Sequence, residues 1–291
     1  MRDNSRAIHR IFTKGVFNDL LSCGRNDIFD YVVTRTIQEP ENMTHGEIIS
    51  EIYSHLGSEK RNQYYYMNTL LNRLLVSNKH NVNTTTALSQ VRIDQHIADF
   101  VLINGEAVVY EIKSDLDNFD RLYDQLSDYF KAFRKVSVLL SCHDFGVVER
   151  MSARLGDMGD AVGFYSLSEN NTLFGRNSQD REPKNFDDYL NHASIFKLMR
   201  KREYENVLMK YFDELPKVEP VFYFKACLVR FTEIPILDAY RLTCEELKRR
   251  NKIDVVTFRN IQKELRSVIY FSGLERKMPE LELLLQTKYK G

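Results

Sequence analysis

The stretch that decides the fold runs Ala98-Asp99-Phe100-Val101-Leu102-Ile103-Asn104-Gly105-Glu106-Ala107-Val108-Val109-Tyr110-Glu111-Ile112-Lys113. Two apolar runs flank Asn104-Gly105, the local mark of a β-hairpin. Side chains alternate along a strand, so Glu111 and Lys113 share one face while Tyr110 and Ile112 take the other. An acid and a lysine within so apolar a strand need a partner, a metal or solvent, because a lone buried charge is strongly unfavourable. Turn geometry decides whether Asp99 joins them. A two-residue Asn104-Gly105 turn pairs Ile103 with Glu106 and sets Asp99 opposite Tyr110, on the wrong face. A three-residue loop from Ile103 to Gly105 pairs Leu102 with Glu106 and sets Asp99 opposite Val109. Asp99 then lies diagonal to Glu111 on the same face. The expectation is this loop or an equivalent bulge, with Gly105 left-handed.

Working outward, Val91-Arg92-Ile93 reads as a preceding strand. Asp117 can cap a helix from about Asn118 to Arg134, and a strand at Val136–Ser141, a helix near Val147–Leu155 and a strand at Val162–Leu167 follow. A meander followed by alternating units predicts an α/β fold, a mixed sheet with helices on both faces. Residues 1–78 read as helical. Thr44 and Glu47 form a capping-box pattern before the apolar stripe Ile48, Ile49, Ile52, Tyr53 and Leu56, and a second helix covers Arg61–Val76. Residues 169–185 are polar with Gly and Pro and read as a linker or loop, and 186–291 as a helical C-terminal region. The expected division is thus 1–78, 79–168 for the core, and 186–291.

Composition narrows the function classes. Lys+Arg and Asp+Glu both number 41, which counts against a protein that coats nucleic acid by bulk charge but not against a local basic groove. Cys23, Cys142, Cys227 and Cys244 show no zinc-ligand spacing. With neither a signal-like apolar stretch nor a membrane-length one, the expected location is cytoplasmic.

The chemistry follows from the shared face. Two carboxylates, Asp99 and Glu111, with the backbone carbonyl of Ile112 suit a hard cation such as Mg²⁺ or Mn²⁺. Lys113 can orient or deprotonate an attacking water and offset phosphate charge. An Asp, a short hairpin and Glu111-Ile112-Lys113 resemble the PD-(D/E)xK nuclease superfamily, and the matching order of elements covers roughly residues 47–167. The segment EIKSDLDNFDRLYDQLSDYF also looks like that of uncharacterised bacterial and phage-encoded nuclease-like members. The resemblance implies a restriction-endonuclease-like core and a magnesium-dependent endonuclease that hydrolyses phosphodiester bonds, in DNA more than RNA. It further implies that Gln125 faces the site, that Tyr129 or Arg121 supports it or touches phosphate, and that an early-helix acid, Glu47 or Glu51, can add to the metal. Arg121, Gln125 and Tyr129 stand at helical spacing on one stripe. The sequence departs from the pattern at Ala98, where the motif's Pro would stand.

Blander readings accompany these. Glu111 and Lys113 could pair as a salt bridge on a solvated strand, Asp94 and His96 read as exposed turn residues, and Asp115 as a loop residue able to assist a metal. Thr44–Asn78 could form a winged helix-turn-helix presenting Arg61, Asn62, Gln63, Tyr64, Asn68, Asn72 and Arg73 to DNA. His143-Asp144 could suggest a hydrolase dyad. The rival functions are a non-catalytic DNA-binding regulator on a degenerate nuclease scaffold, and a triggered toxin or phage-defence component. In the latter the C-terminal helices bind a protein partner or self-associate.

Overall fold

The structure is a computed structural model that describes residues 7–8, 10–58, 61–76, 84–141, 145–168, 170, 172–173, 180–250 and 253–291. In chain order the helices and strands are α1 (Lys14–Cys23), α2 (Asp27–Thr36), α3 (His45–Ser58), α4 (Gln63–Val76), β1 (Thr86–Ile93), β2 (His96–Asn104) and β3 (Glu106–Ile112). Next come α5 (Leu122–Phe130), β4 (Lys135–Ser141), α6 (Phe145–Leu155), α7 (Asp157–Ala161) and β5 (Gly163–Leu167). The chain closes with α8 (His192–Lys197), α9 (Lys201–Phe212), α10 (Pro220–Thr232), α11 (Ile236–Lys248), α12 (Val255–Asn260), α13 (Arg266–Ser272) and α14 (Met278–Gln286).

The chain clusters differently from the three-part division drawn from its sequence. One unit comprises residues 1–81, 114–116 and 253–291, and the other 82–113 and 117–252. The C-terminal helices are therefore split between the two.

The first unit is helical. Asn26 caps α2 by accepting from the N–H groups of Ile28 and Phe29. Ahead of α3 the Thr44 N–H donates to Glu47 Oε2 at 2.7 Å and the Glu47 N–H to Thr44 Oγ1 at 3.2 Å, the expected capping box. Three of the side chains named in the winged-helix reading are engaged in contacts within this unit, while Gln63 and Arg73 are exposed. Arg61 is buried in an ion pair with Asp115, Asn68 bonds Tyr53, Lys263 and Ser267, and Asn72 bonds Lys263 and Arg266. These groups hold helices of this unit together.

The second unit carries the sheet, in the order β1-β2-β3-β4-β5. β1, β2 and β3 pair antiparallel, and β4 joins β3 and β5 in parallel, which makes the mixed sheet expected. The β2–β3 register corrects the expected loop. Asn104 pairs with Glu106, so Gly105 alone stands at the tip, at φ 80°. Nothing lies near where its Cβ would be, so the turn selects glycine for its backbone freedom and not for space.

One wall of this unit is a large apolar core. Val101, Ile103, Val109, Val136, Val138 and Phe164 of the sheet pack with Leu126, Tyr129 and Phe130 of α5 and with Phe196, Phe231 and Leu247 from the later helices. Helix α5 is shorter than predicted, because the residues after Asp117 form turns and Arg121, not Asp117, stands at its N-cap. The predicted linker is not a free tether either. Arg181 bridges to Phe164, and its guanidinium donates to the carbonyls of Val162 and Gly159. Unsatisfied carbonyls next to the sheet are costly, and this arginine satisfies two. No described helix is long and apolar enough to cross a membrane.

Candidate active site

The site grows from the hairpin. The pairs Phe100↔Tyr110 and Val101↔Val109 carry the β2–β3 register onward to set Asp99 directly across from Glu111, where the sequence had placed it diagonally. The ladder then opens. In place of a backbone carbonyl, Asp99 Oδ2 accepts the Ile112 N–H at 2.9 Å. Asp99, Glu111 and Lys113 are all buried, with 8%, 2% and 7% of their surface exposed, so the pair is no salt bridge on a solvated strand.

Helix α5 lies over this face and supplies the partners. Glu111 Oε1 accepts from Lys113 Nζ at 3.0 Å and from Gln125 Nε2 at 2.5 Å, while Tyr129 Oη donates to Glu111 Oε2 at 2.7 Å. Gln125 Oε1 in turn accepts from Lys113 Nζ at 2.8 Å. The Ile97 carbonyl also lies 3.0 Å from Tyr129 Oη, and the hydroxyl's one proton can serve only one of its two acceptors at a time. The helix stripe of Gln125 and Tyr129 thus converges with the strand residues. Arg121 does not: its side chain is exposed and has no hydrogen bond or ion pair among the described residues.

Charge is unevenly balanced here. Burial, then the neighbouring Glu111, push the Asp99 carboxyl up to about 7, against the opposing pull of the Ile112 N–H and Lys113. Asp117, exposed, adds to that repulsion. Burial and the Glu111 carboxylate hold the Tyr129 hydroxyl far above the usual phenol range, so it acts as a hydrogen-bond donor.

Other predicted residues have partners or settings of their own. Asp115 is no candidate ligand, because Arg61 grips it from Nε at 3.0 Å and Tyr66 Oη donates to it at 2.6 Å. Glu47 is occupied in the cap of α3, and Glu51 is an exposed residue of that helix in the first unit. Asp94 and His96 are not free turn residues. Asp94 accepts from Ser194 at 2.7 Å, and His96 Nδ1 lies 2.7 Å from Asp128, which also takes Lys131. His143 and Asp144 lie outside the described residues. Gln90 went unnoticed in the sequence. It is a strand residue with φ 54°, and its Nε2 lies 3.5 Å from Asp99 Oδ1. A glutamine in a polar stretch carries no local signal of that conformation.

Among the described residues no group of three or more His, Cys, Asp or Glu is placed to hold a metal. Asp99 and Glu111 make a two-carboxylate set, with the Ile112 N–H bonded to Asp99. A set of two carboxylates suits Mg²⁺, which keeps several waters and takes one or two carboxylates.

A family model described as bacteriophage P4 protein cII matches residues 57–266. The chain belongs to that family. The cII match spans more than half of the chain, and within it fall Gln90, Asp99, Glu111, Lys113, Gln125 and Tyr129, with Glu51 outside. No curated protein and no solved structure matches.

Proposed function

We propose that this cII-family chain is a metal-dependent nuclease of the PD-(D/E)xK type that hydrolyses phosphodiester bonds, in DNA before RNA. The observation that carries the reading is the convergence of Asp99 and Glu111 from facing strands with Lys113 and Gln125. Asp99, Glu111 and the Ile112 carbonyl would hold Mg²⁺ or Mn²⁺. When bound, such an ion lowers the pKa of a water and stabilises charge on the phosphate. Lys113 orients the attacking water and offsets phosphate charge. Gln125 fixes both Lys113 and Glu111, and Tyr129 fixes the second oxygen of Glu111. Exposed Arg121, one turn before Gln125 on α5, is available to phosphate at the mouth.

The reading is tested with purified protein, plasmid or linear DNA and Mg²⁺ or Mn²⁺, beside a Lys113→Ala variant. Cleavage by the wild type that falls at least about 100-fold in the variant supports it. DNA left intact by both forms overturns it.

A second reading has its own observation. Both oxygens of Glu111 are taken by Lys113, Gln125 and Tyr129, as in a closed network with no task beyond holding α5 on the sheet. On that view the chain is a non-catalytic DNA-binding regulator. A gel shift without cleavage in the same assay is its result.

A further inference from the structure

The β1–β2 ladder runs in one register from Thr86↔Ile103 to Ser89↔Phe100 and again from Val91↔Ala98 to Ile93↔His96. The skipped position is Gln90 facing Asp99. Gln90 has φ 54°, in the left-handed region. Of the other non-glycine residues described with positive φ, Glu39 and Asp213 stand at helix caps and Asp94 in the β1–β2 turn, where such a conformation is ordinary. Gln90 lies inside a strand, where a side chain pays a steric penalty for it. The alternation of buried residues breaks at the same place. Val91 and Ala98 share the core with Val101, and Leu88 packs on it, all at odd spacings across the skipped pair. Strain of this kind persists where the surroundings enforce it, and it concentrates at sites with a task.

We propose that Gln90 is a positioning residue for Asp99. Its left-handed backbone bends the ribbon where the ladder opens, and its carboxamide, 3.5 Å from Asp99 Oδ1, steadies one carboxylate oxygen while the Ile112 N–H holds the other. The inference deepens the nuclease reading, from which it takes the role of Asp99.

The test is Gln90→Gly, which accepts the left-handed conformation and removes the carboxamide. Three quantities are compared with the wild type: the thermal midpoint, hydrogen exchange at the Ile112 amide, and Mn²⁺ affinity by electron paramagnetic resonance. The expected midpoint stays within about 2 °C of wild type, because relief of strain offsets the added freedom of the unfolded chain. Exchange at Ile112 accelerates about tenfold as Asp99 loosens, and Mn²⁺ binding weakens about tenfold or more. Unchanged exchange at Ile112 overturns the inference, even if the wild type binds metal and cleaves DNA. Faster exchange in a protein that binds no Mn²⁺ in either form leaves Gln90 as the positioner of Asp99 and sinks the nuclease reading instead.

Discussion

The Asp99 carboxylate accepts the backbone N–H of Ile112 at 2.9 Å, a side chain standing where a strand carbonyl would normally serve. That bond holds Asp99 on the face of Glu111, inside a region where neither acid is well solvated. Two like charges so placed cost stability, and the cost depends on pH.

Asp99→Asn should therefore stabilise the metal-free protein at pH 8 and, on the proposed nuclease reading, abolish cleavage. An acid whose folded pKa is raised to about 7 carries no penalty below its unfolded value. The penalty builds between about pH 4 and 7 and is full above that. The expected gain is about 2–3 kcal/mol at pH 8, on the basis of roughly 1.4 kcal/mol per unit with an allowance for relaxation. Urea denaturation in chelator at pH 8 and pH 4.5 measures it. Equal gains at both pH values would show that charge is not the cause.

Tyr129→Phe keeps the buried ring and removes a donor to Glu111. The expected loss is about 1–3 kcal/mol, as for a hydrogen bond to a charged acceptor. On the proposed nuclease reading, cleavage should fall less than in Lys113→Ala, because Lys113 and Gln125 still hold the other oxygen of Glu111. A denaturation midpoint unchanged from wild type would refute the bond's contribution.

Asp115 behaves oppositely to Asp99. Burial works against its charge, but the bonds from Arg61 and Tyr66 outweigh it and hold the carboxyl below its ordinary value. Its stabilisation is present above the unfolded pKa and disappears as pH falls through the folded one. Asp115→Asn should cost about 2–3 kcal/mol at pH 7, a little under the range for fully buried pairs because Asp115 is partly exposed. The difference from wild type should shrink as pH falls through the ordinary carboxylate range and disappear once the folded carboxyl is protonated. A pH series of chemical denaturation reads both arms.

Asn68→Leu tests whether the second helix reads DNA or builds the core. Its carboxamide donates to Tyr53 Oη and the Lys263 carbonyl and accepts from the Ser267 N–H. Leaving those groups unpaired should cost about 2–4 kcal/mol. A loss of DNA affinity with unchanged stability would restore the winged-helix reading.

Much of this was legible in the residues. Alternation in Val108–Lys113 put Glu111 and Lys113 on one face, and the Gln125–Tyr129 spacing put both on one stripe of α5; both meet in the structure. Thr44 and Glu47 announced the start of α3. The tip of the hairpin was misread by the register of two residues, because a lone Gly105 at positive φ turns more tightly than the loops considered. Asp115 was read as a loop residue, but its ion pair was not legible because the partner, Arg61, lies 54 residues away.

The sequence by itself settled the order of the main strands and helices, the shared face of Glu111 and Lys113, and the Thr44–Glu47 capping box, since these depend on side-chain alternation and bonds spanning a few residues. Tertiary structure alone decided that Asp99 faces Glu111, that Asp115 is spent on Arg61, and that Gln90 is forced left-handed. The first and last depend on the exact register of two hairpins, and the second on a partner 54 residues away, neither of which side-chain alternation records.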